Sequence, residues 1–131
     1  MEKLKSQLHN LTTEEEIEQL FNKLYEITGN DGKDSVIFVN GNNVKYIVRP
    51  GTDGKGTFIV TGSKIYEWFR YDVHPDQHSL TLIGVKEYDL PNEVLELLNK
   101  VPESDISCMS DVKIRLYCLL TKGYKINLAK S

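Results

Sequence analysis

The residues best suited to chemistry lie between positions 49 and 78. The run Tyr66-Glu67-Trp68-Phe69-Arg70-Tyr71 places four aromatics and an arginine within six residues. Read as a strand, it puts Tyr66, Trp68 and Arg70 on one face and Ile65, Glu67, Phe69 and Tyr71 on the other. Trp, Tyr and Arg dominate the hot spots of protein interfaces, and they also stack on planar ligands. The first face is therefore a candidate binding patch. Its plainer alternative is core, the usual fate of aromatics, and the sequence leaves the two readings open.

A second candidate is the glycine-rich stretch Gly51-Thr52-Asp53-Gly54-Lys55-Gly56-Thr57. Its backbone N–H groups and Lys55 could touch an anion. It is not a Walker loop, because Gly56 follows the Gly-Lys pair where Ser or Thr is needed and the flanks read as strands. As turn chemistry, it is a flexible connection between two strands. Arginine is scarce, at three against thirteen lysines, and its fork of donors matches carboxylate or phosphate. Arg49 and Arg70 fall on expected strands, so Arg49, Lys55 and Arg70 are candidate ligand contacts if the fold brings them together. Surface ion pairing, worth about 0–1 kcal/mol per pair, is the plainer role.

His74 and His78 stand four apart with Asp72 and Asp76 beside them. Pro75 makes the segment between them a turn, and no third ligand is obvious, so no metal site is assigned. No G-x-S-x-G, H-E-x-x-H or C-x-x-C motif occurs. The acids Glu14 to Glu16 are explained by helix capping. No catalytic residue and no cofactor are assigned.

The elements that must position these residues follow from periodicity. Leu4, Leu8 and Leu11 suggest a short, weak helix over residues 2–10. Thr13 with Glu16 forms a capping box. Ile17, Leu20, Phe21, Leu24 and Ile27 then make one apolar stripe, and Gly29 stands where a C′ glycine belongs, giving a helix over 13–28. Ser35–Val39 and Asn43–Arg49 are β-rich runs around Asn40-Gly41-Asn42, a hairpin signal. Thr57–Thr61 is another strand, and Gly62-Ser63 fits a type II′ turn. Lys64–Val73 is read as a strand, over a helix capped by Ser63, because β-branched and aromatic residues dominate it. Ser79–Glu87 closes a meander of about five antiparallel strands. Pro91 opens a helix that Pro102 ends. Ser110 caps a last helix through Thr121, with Gly123 as C′ and a short strand over Tyr124–Leu128. The expected fold is one α+β domain over residues 1–131: N-terminal helices, a central meander, and C-terminal helices covering one face.

Composition bounds the rest. The chain has 131 residues, 40% hydrophobic and 27% charged, which is ordinary for a folded domain able to bury its own core. A net charge of −3 is too mild for a general nucleic-acid binder. Its distribution is uneven: residues 1–34 hold four lysines against eight acids, whereas Lys113, Arg115, Lys122, Lys125 and Lys130 follow Asp111 without an acid. Met1–Lys5 shows no apolar h-region and no run reaches membrane length, so neither a signal peptide nor a membrane helix is expected. Cys108 and Cys118 lack zinc or redox spacing, and Cys118 reads as a small buried hydrophobe. A reducing cytoplasm is the expected location. A single alanine and the lysine excess suit an AT-rich genome, such as that of a low-GC bacterium, its phages or some eukaryotic parasites; with the small size and the lack of a catalytic motif they suit a phage or mobile-element accessory protein. Together these features favour a non-enzymatic binding or inhibitor protein that occupies a protein partner's surface. The alternative is a binder of a nucleotide-like or phosphorylated small molecule. A homodimer through an open strand edge is compatible with either.

Overall fold

The computed structural model describes residues 14–102 and 106–129. The weak helix over 2–10, His9 and the Thr13 half of the capping box lie outside them. The chain is α+β, with eight strands in two sheets among the described residues. After helix α1 (Glu14–Thr28) come β1 (Ser35–Asn40), β2 (Asn43–Val48), β3 (Thr57–Thr61), β4 (Lys64–Glu67), β5 (Arg70–His74), β6 (Ser79–Ile83) and β7 (Lys86–Asp89). Helix α2 (Asn92–Lys100), helix α3 (Asp111–Thr121) and strand β8 (Lys125–Ala129) complete it. Among the described residues no helix is long and apolar enough to cross a membrane.

The larger sheet runs β2-β1-β3-β4-β7 and the smaller β5-β6-β8. Neither is a simple meander, because β1 pairs with β3 and β6 with β8 in parallel. β1 is buried along most of its length, which follows from its unbroken apolar run Val36-Ile37-Phe38-Val39. Such a strand has both faces covered. One face, carrying Val36, Phe38, Ile47, Phe58, Val60 and Ile65, packs on Leu20, Phe21 and Leu24 of α1 and Val94 and Leu98 of α2. The other, carrying Ile37, Val39, Val44, Tyr46 and Ile59, packs on Leu80 and Leu82 of β6 and Leu116 and Leu120 of α3. Each such side chain contributes roughly 1.5–3 kcal/mol on burial. The expectation that the C-terminal helices share one face is thus corrected. α2 joins α1, and α3 takes the opposite face, because the smaller sheet covers only part of it.

Local signals place the turns. Gly41 and Gly62 have φ of 60° and 63° in two-residue hairpin loops, where the adjoining Asn42 and Ser63 stay at negative φ. That pattern is the one a type II′ turn requires. Within the expected Asn40-Gly41-Asn42 turn, Asn40 still pairs with Asn43, so the loop itself is Gly41-Asn42. Ser110 caps α3, its hydroxyl accepting from the Lys113 N–H at 3.3 Å.

The segment Lys64–Val73 is not one straight strand. β4 pairs with β7 from Lys64↔Asp89 to Glu67↔Lys86, and β5 pairs with β6 from Arg70↔Ile83 to His74↔Ser79. Both ladders keep the same register. They are one long hairpin, bent where Trp68-Phe69 crosses Gly84-Val85. Its first half extends the larger sheet, and its second half folds over that sheet's face. The bend requires left-handed backbone on both sides: Gly84 has φ 70° and Trp68 has φ 57°.

Candidate functional site

Trp68 stands at this corner, and its residue type is out of place there. Left-handed backbone costs an L-residue roughly 1–2 kcal/mol, and glycine, as at position 84, is the ordinary solution. Trp68 is 58% exposed. Lys33, brought in by the connection from α1 to β1, sets its ammonium 3.9 Å from the centre of the indole ring and 6.0 Å from that of Phe69. Lys33 is itself buried, at 8% exposure. It makes no hydrogen bond or ion pair to the described residues, so the aromatic face is its nearest compensation. Burial pulls its pKa below the usual lysine value, against the opposing pull of Glu67 and Asp34.

Glu67, one residue before the corner, is 1% exposed. Its Oε1 accepts a 2.6 Å bond from the Tyr88 hydroxyl, which also reaches the Thr28 carbonyl at 3.4 Å, while Oε2 has no partner. The hydrogen bond to Glu67, assisted by burial, holds the Tyr88 phenol up at about 12. Buried charges are normally paired. One oxygen of buried Glu67 is thus left without a partner, and its charge acts on the Lys33 ammonium that lies on the indole face.

The sequence-derived candidates are not brought to one place. Tyr66 lies in β4, half-buried among the core side chains opposite α1. Arg70 opens β5, in the other sheet, exposed. Trp68 belongs to neither strand, so the three do not share a strand face, because the left-handed residue interrupts the alternation. Arg49 is committed elsewhere: its guanidinium holds Glu18 through Nε and Nη2 at 3.1–3.2 Å and Asp31 at 3.0 Å. Lys55 is exposed and pairs with Asp53 at 3.6 Å. His74 and His78 are exposed at the end of the bent hairpin, flanking the single turn Pro75–Gln77, with the His78 ring 5.3 Å from Tyr124. Among the described residues no three His, Cys, Asp or Glu side chains are grouped to hold a metal. Cys118 is exposed and free, correcting its assignment to the core.

The glycine-rich loop is fastened rather than flexible. It crosses beneath the start of β1 so that β3 can pair with β1 in parallel. The Gly56 carbonyl accepts from the N–H groups of Asp34 and Ser35, and its own N–H donates to Asp34 Oδ1 at 3.0 Å. A Cβ on Gly56 would stand 2.3 Å from the Gly32 carbonyl oxygen. On the other side, Lys113 of α3 reaches in, 9% exposed, and its Nζ donates to the Gly54 carbonyl, Ser35 Oγ and Tyr46 Oη. Burial lowers the Lys113 pKa, and Asp34 and Asp53 oppose this. A cavity of about 360 Å³ opens beside it, lined by Tyr46, Asp53, Gly54, Lys55 and Ser110. All three Lys113 donors are already used within the protein, so the lysine acts as a clamp on the loop.

Sequence reasoning missed Lys33, Glu67 and Lys113. Signals for two of them were present. Glu67 alternates with the core residue Ile65, and Lys113 falls on the stripe it forms with Leu116 and Leu120.

The chain matches no family model, no curated protein and no solved structure.

Proposed function

We propose that the protein is a non-enzymatic binding protein that acts by occupying a macromolecular partner's surface, with the Trp68 corner as its central contact. The observation that carries this reading is the indole itself: a large aromatic, exposed, at a backbone position that favours glycine. Strained residues persist where the surrounding fold over-determines them, and they cluster at binding and active sites. Trp is also the residue type most enriched at interface hot spots. Lys33 braces the ring from within, so the contact is partly preorganised and loses less side-chain freedom on binding. The small-molecule reading needs Arg49, Lys55 and Arg70 to converge. Arg49 is tied to α1 and Arg70 sits in the other sheet, so no geometry favours it.

The test is a photo-cross-linking residue, p-benzoylphenylalanine, at position 68, compared with the same residue at Tyr25. Tyr25 is an exposed aromatic on α1, at 46%. A discrete adduct from position 68 and none from position 25 is expected. Equal adducts, or none from position 68, would remove the corner from the interface.

A further inference from the structure

At the opposite end of β4 from the Trp68 corner, a cleft of about 660 Å³ opens, a size that suits a ligand site. Its walls come from the ends of β1 and β3 with their hairpin loops, from Leu95 and Asn99 of α2, and from the turn that leads α3 into β8. Phe38 and Leu120, both buried, give it an apolar floor. Asn40, Asn99 and Asn127 line it and are exposed. The carboxamides of these three make no hydrogen bond to the described residues, and each carries both donors and an acceptor. No acid is among the residues that line the cleft, and Lys125 is the one cation.

Strand β8 adds a second, independent observation. Five successive residues, Gly123 to Asn127, line the cleft. Successive side chains of a strand point to opposite faces, so the cleft lies along the edge of β8 rather than over one face. That edge is open: among the described residues β8 pairs with β6 alone. One bond fixes which backbone groups face outward. The Lys125 N–H donates to the carbonyl of His78, the residue before its register partner Ser79. In a parallel ladder alternate residues of a strand bond the same neighbour. Lys125 and Asn127 therefore turn their backbone groups to β6, and the N–H and C=O of Ile126 and Leu128 point to the open side.

We infer that this cleft and the open edge of β8 bind an extended peptide segment of a protein partner, which adds as a further strand beside β8. The backbone groups of Ile126 and Leu128 supply the alternating donors and acceptors that such a strand pairs with. The three carboxamides offer the same two kinds of group to the peptide main chain where it runs on into the cleft, and the apolar floor takes one of its side chains. A second copy of this chain could pair the same edge, but it would bring a strand already folded into its own sheet, whereas a free segment can follow the edge into the cleft. The site is separate from the Trp68 corner, and neither depends on the other.

The experiment selects linear dodecapeptides displayed on phage against the full chain, then titrates the tightest of them, as a synthetic peptide, into isotope-labelled protein followed by NMR. The amides of Ile126 and Leu128 are expected to shift and to exchange more slowly with solvent, while the indole resonance of Trp68, the only tryptophan, stays in place. The same peptide with alternate backbone amides N-methylated should lose binding. Leu128→Pro removes an outward N–H and no ladder bond to β6, and Kd is expected to rise about tenfold. Asn99→Ala with Asn127→Ala should weaken binding in the same direction, and this pair decides the matter if the proline variant does not fold. Failure to select any peptide, shifts confined to the Trp68 corner, survival of binding after N-methylation, or an unchanged Kd in the folded variants would each overturn the inference. Shifts at Ile126 and Leu128 that grow with protein concentration in the absence of peptide would overturn it in favour of a second copy.

Discussion

At the scale of single residues, left-handed backbone is shared by two non-glycine residues among those described, Trp68 and His78 at φ 57° and 51°, and only Trp68 has Lys33, Glu67 and Tyr88 gathered around it. The left-handed backbone at Trp68 has a direct energetic signature. Trp68→Ala loses the cation–π contact and keeps the strain; Trp68→Gly loses the same contact and releases the strain. Chemical denaturation should therefore find the glycine variant more stable than the alanine variant by about 1 kcal/mol. The reverse order would mean that position 68 does not hold positive φ in solution. Tyr88 has a pH signature. Its phenol, held at about 12 against an ordinary value of 10.0, keeps its proton in the folded chain after the unfolded chain has lost it. The stabilisation it gives is complete below pH 10 and drains away as pH climbs from 10 towards 12. Tyr88→Phe should be about 2 kcal/mol less stable at neutral pH, since it strips a buried carboxylate of its donor. That gap should close above pH 10, while a constant gap would contradict the hydrogen bond to Glu67.

At the scale of elements, the helices and turns were legible because their determinants are local. The stripe from Ile17 to Ile27, the glycines at 41 and 62, and Ser110 ahead of α3 each act within a few residues of themselves. The sheet arrangement was not legible, for a physical reason. Period-two alternation tells which side of a strand is apolar but does not name the neighbouring strand. The parallel pairing of β1 with β3 depends on how the glycine-rich loop crosses beneath Asp34. The bend at Trp68 was hidden for a related reason: aromatic and β-branched residues run continuously through it, and a tryptophan gives no local hint of left-handed backbone. Lys113 was hidden because a lysine on a helix is read as solvated unless its place on the apolar stripe is counted. The crossing makes a testable demand. Gly56→Ala would drive a Cβ into the Gly32 and Lys33 backbone at 2.3 and 2.9 Å, so it should cost about 2–3 kcal/mol. Gly41→Ala meets no atom within 4 Å and should cost only its backbone strain, about 1 kcal/mol. Thermal unfolding of the two variants should separate them in that order, and equal losses would argue against the close crossing.

At the scale of the whole molecule, function depends on what the two-sheet arrangement leaves at the surface. The larger sheet is covered on one face by α1 and α2 and on the other by the smaller sheet and α3. Neither broad sheet face is therefore left bare to serve as a docking platform, and the expectation of an exposed aromatic strand face gives way to an exposed corner. The acidic charge of the first 34 residues is partly met at the surface, where Glu18 and Asp31 hold Arg49. The central claim is that this corner is where a partner sits, and the most direct measurement is photo-cross-linking from position 68 in the cell that makes the protein. A single discrete adduct, absent when the cross-linker stands at position 25, is the predicted result. A chain that stays folded and yields no adduct from position 68, or the same adducts from both positions, would contradict the account.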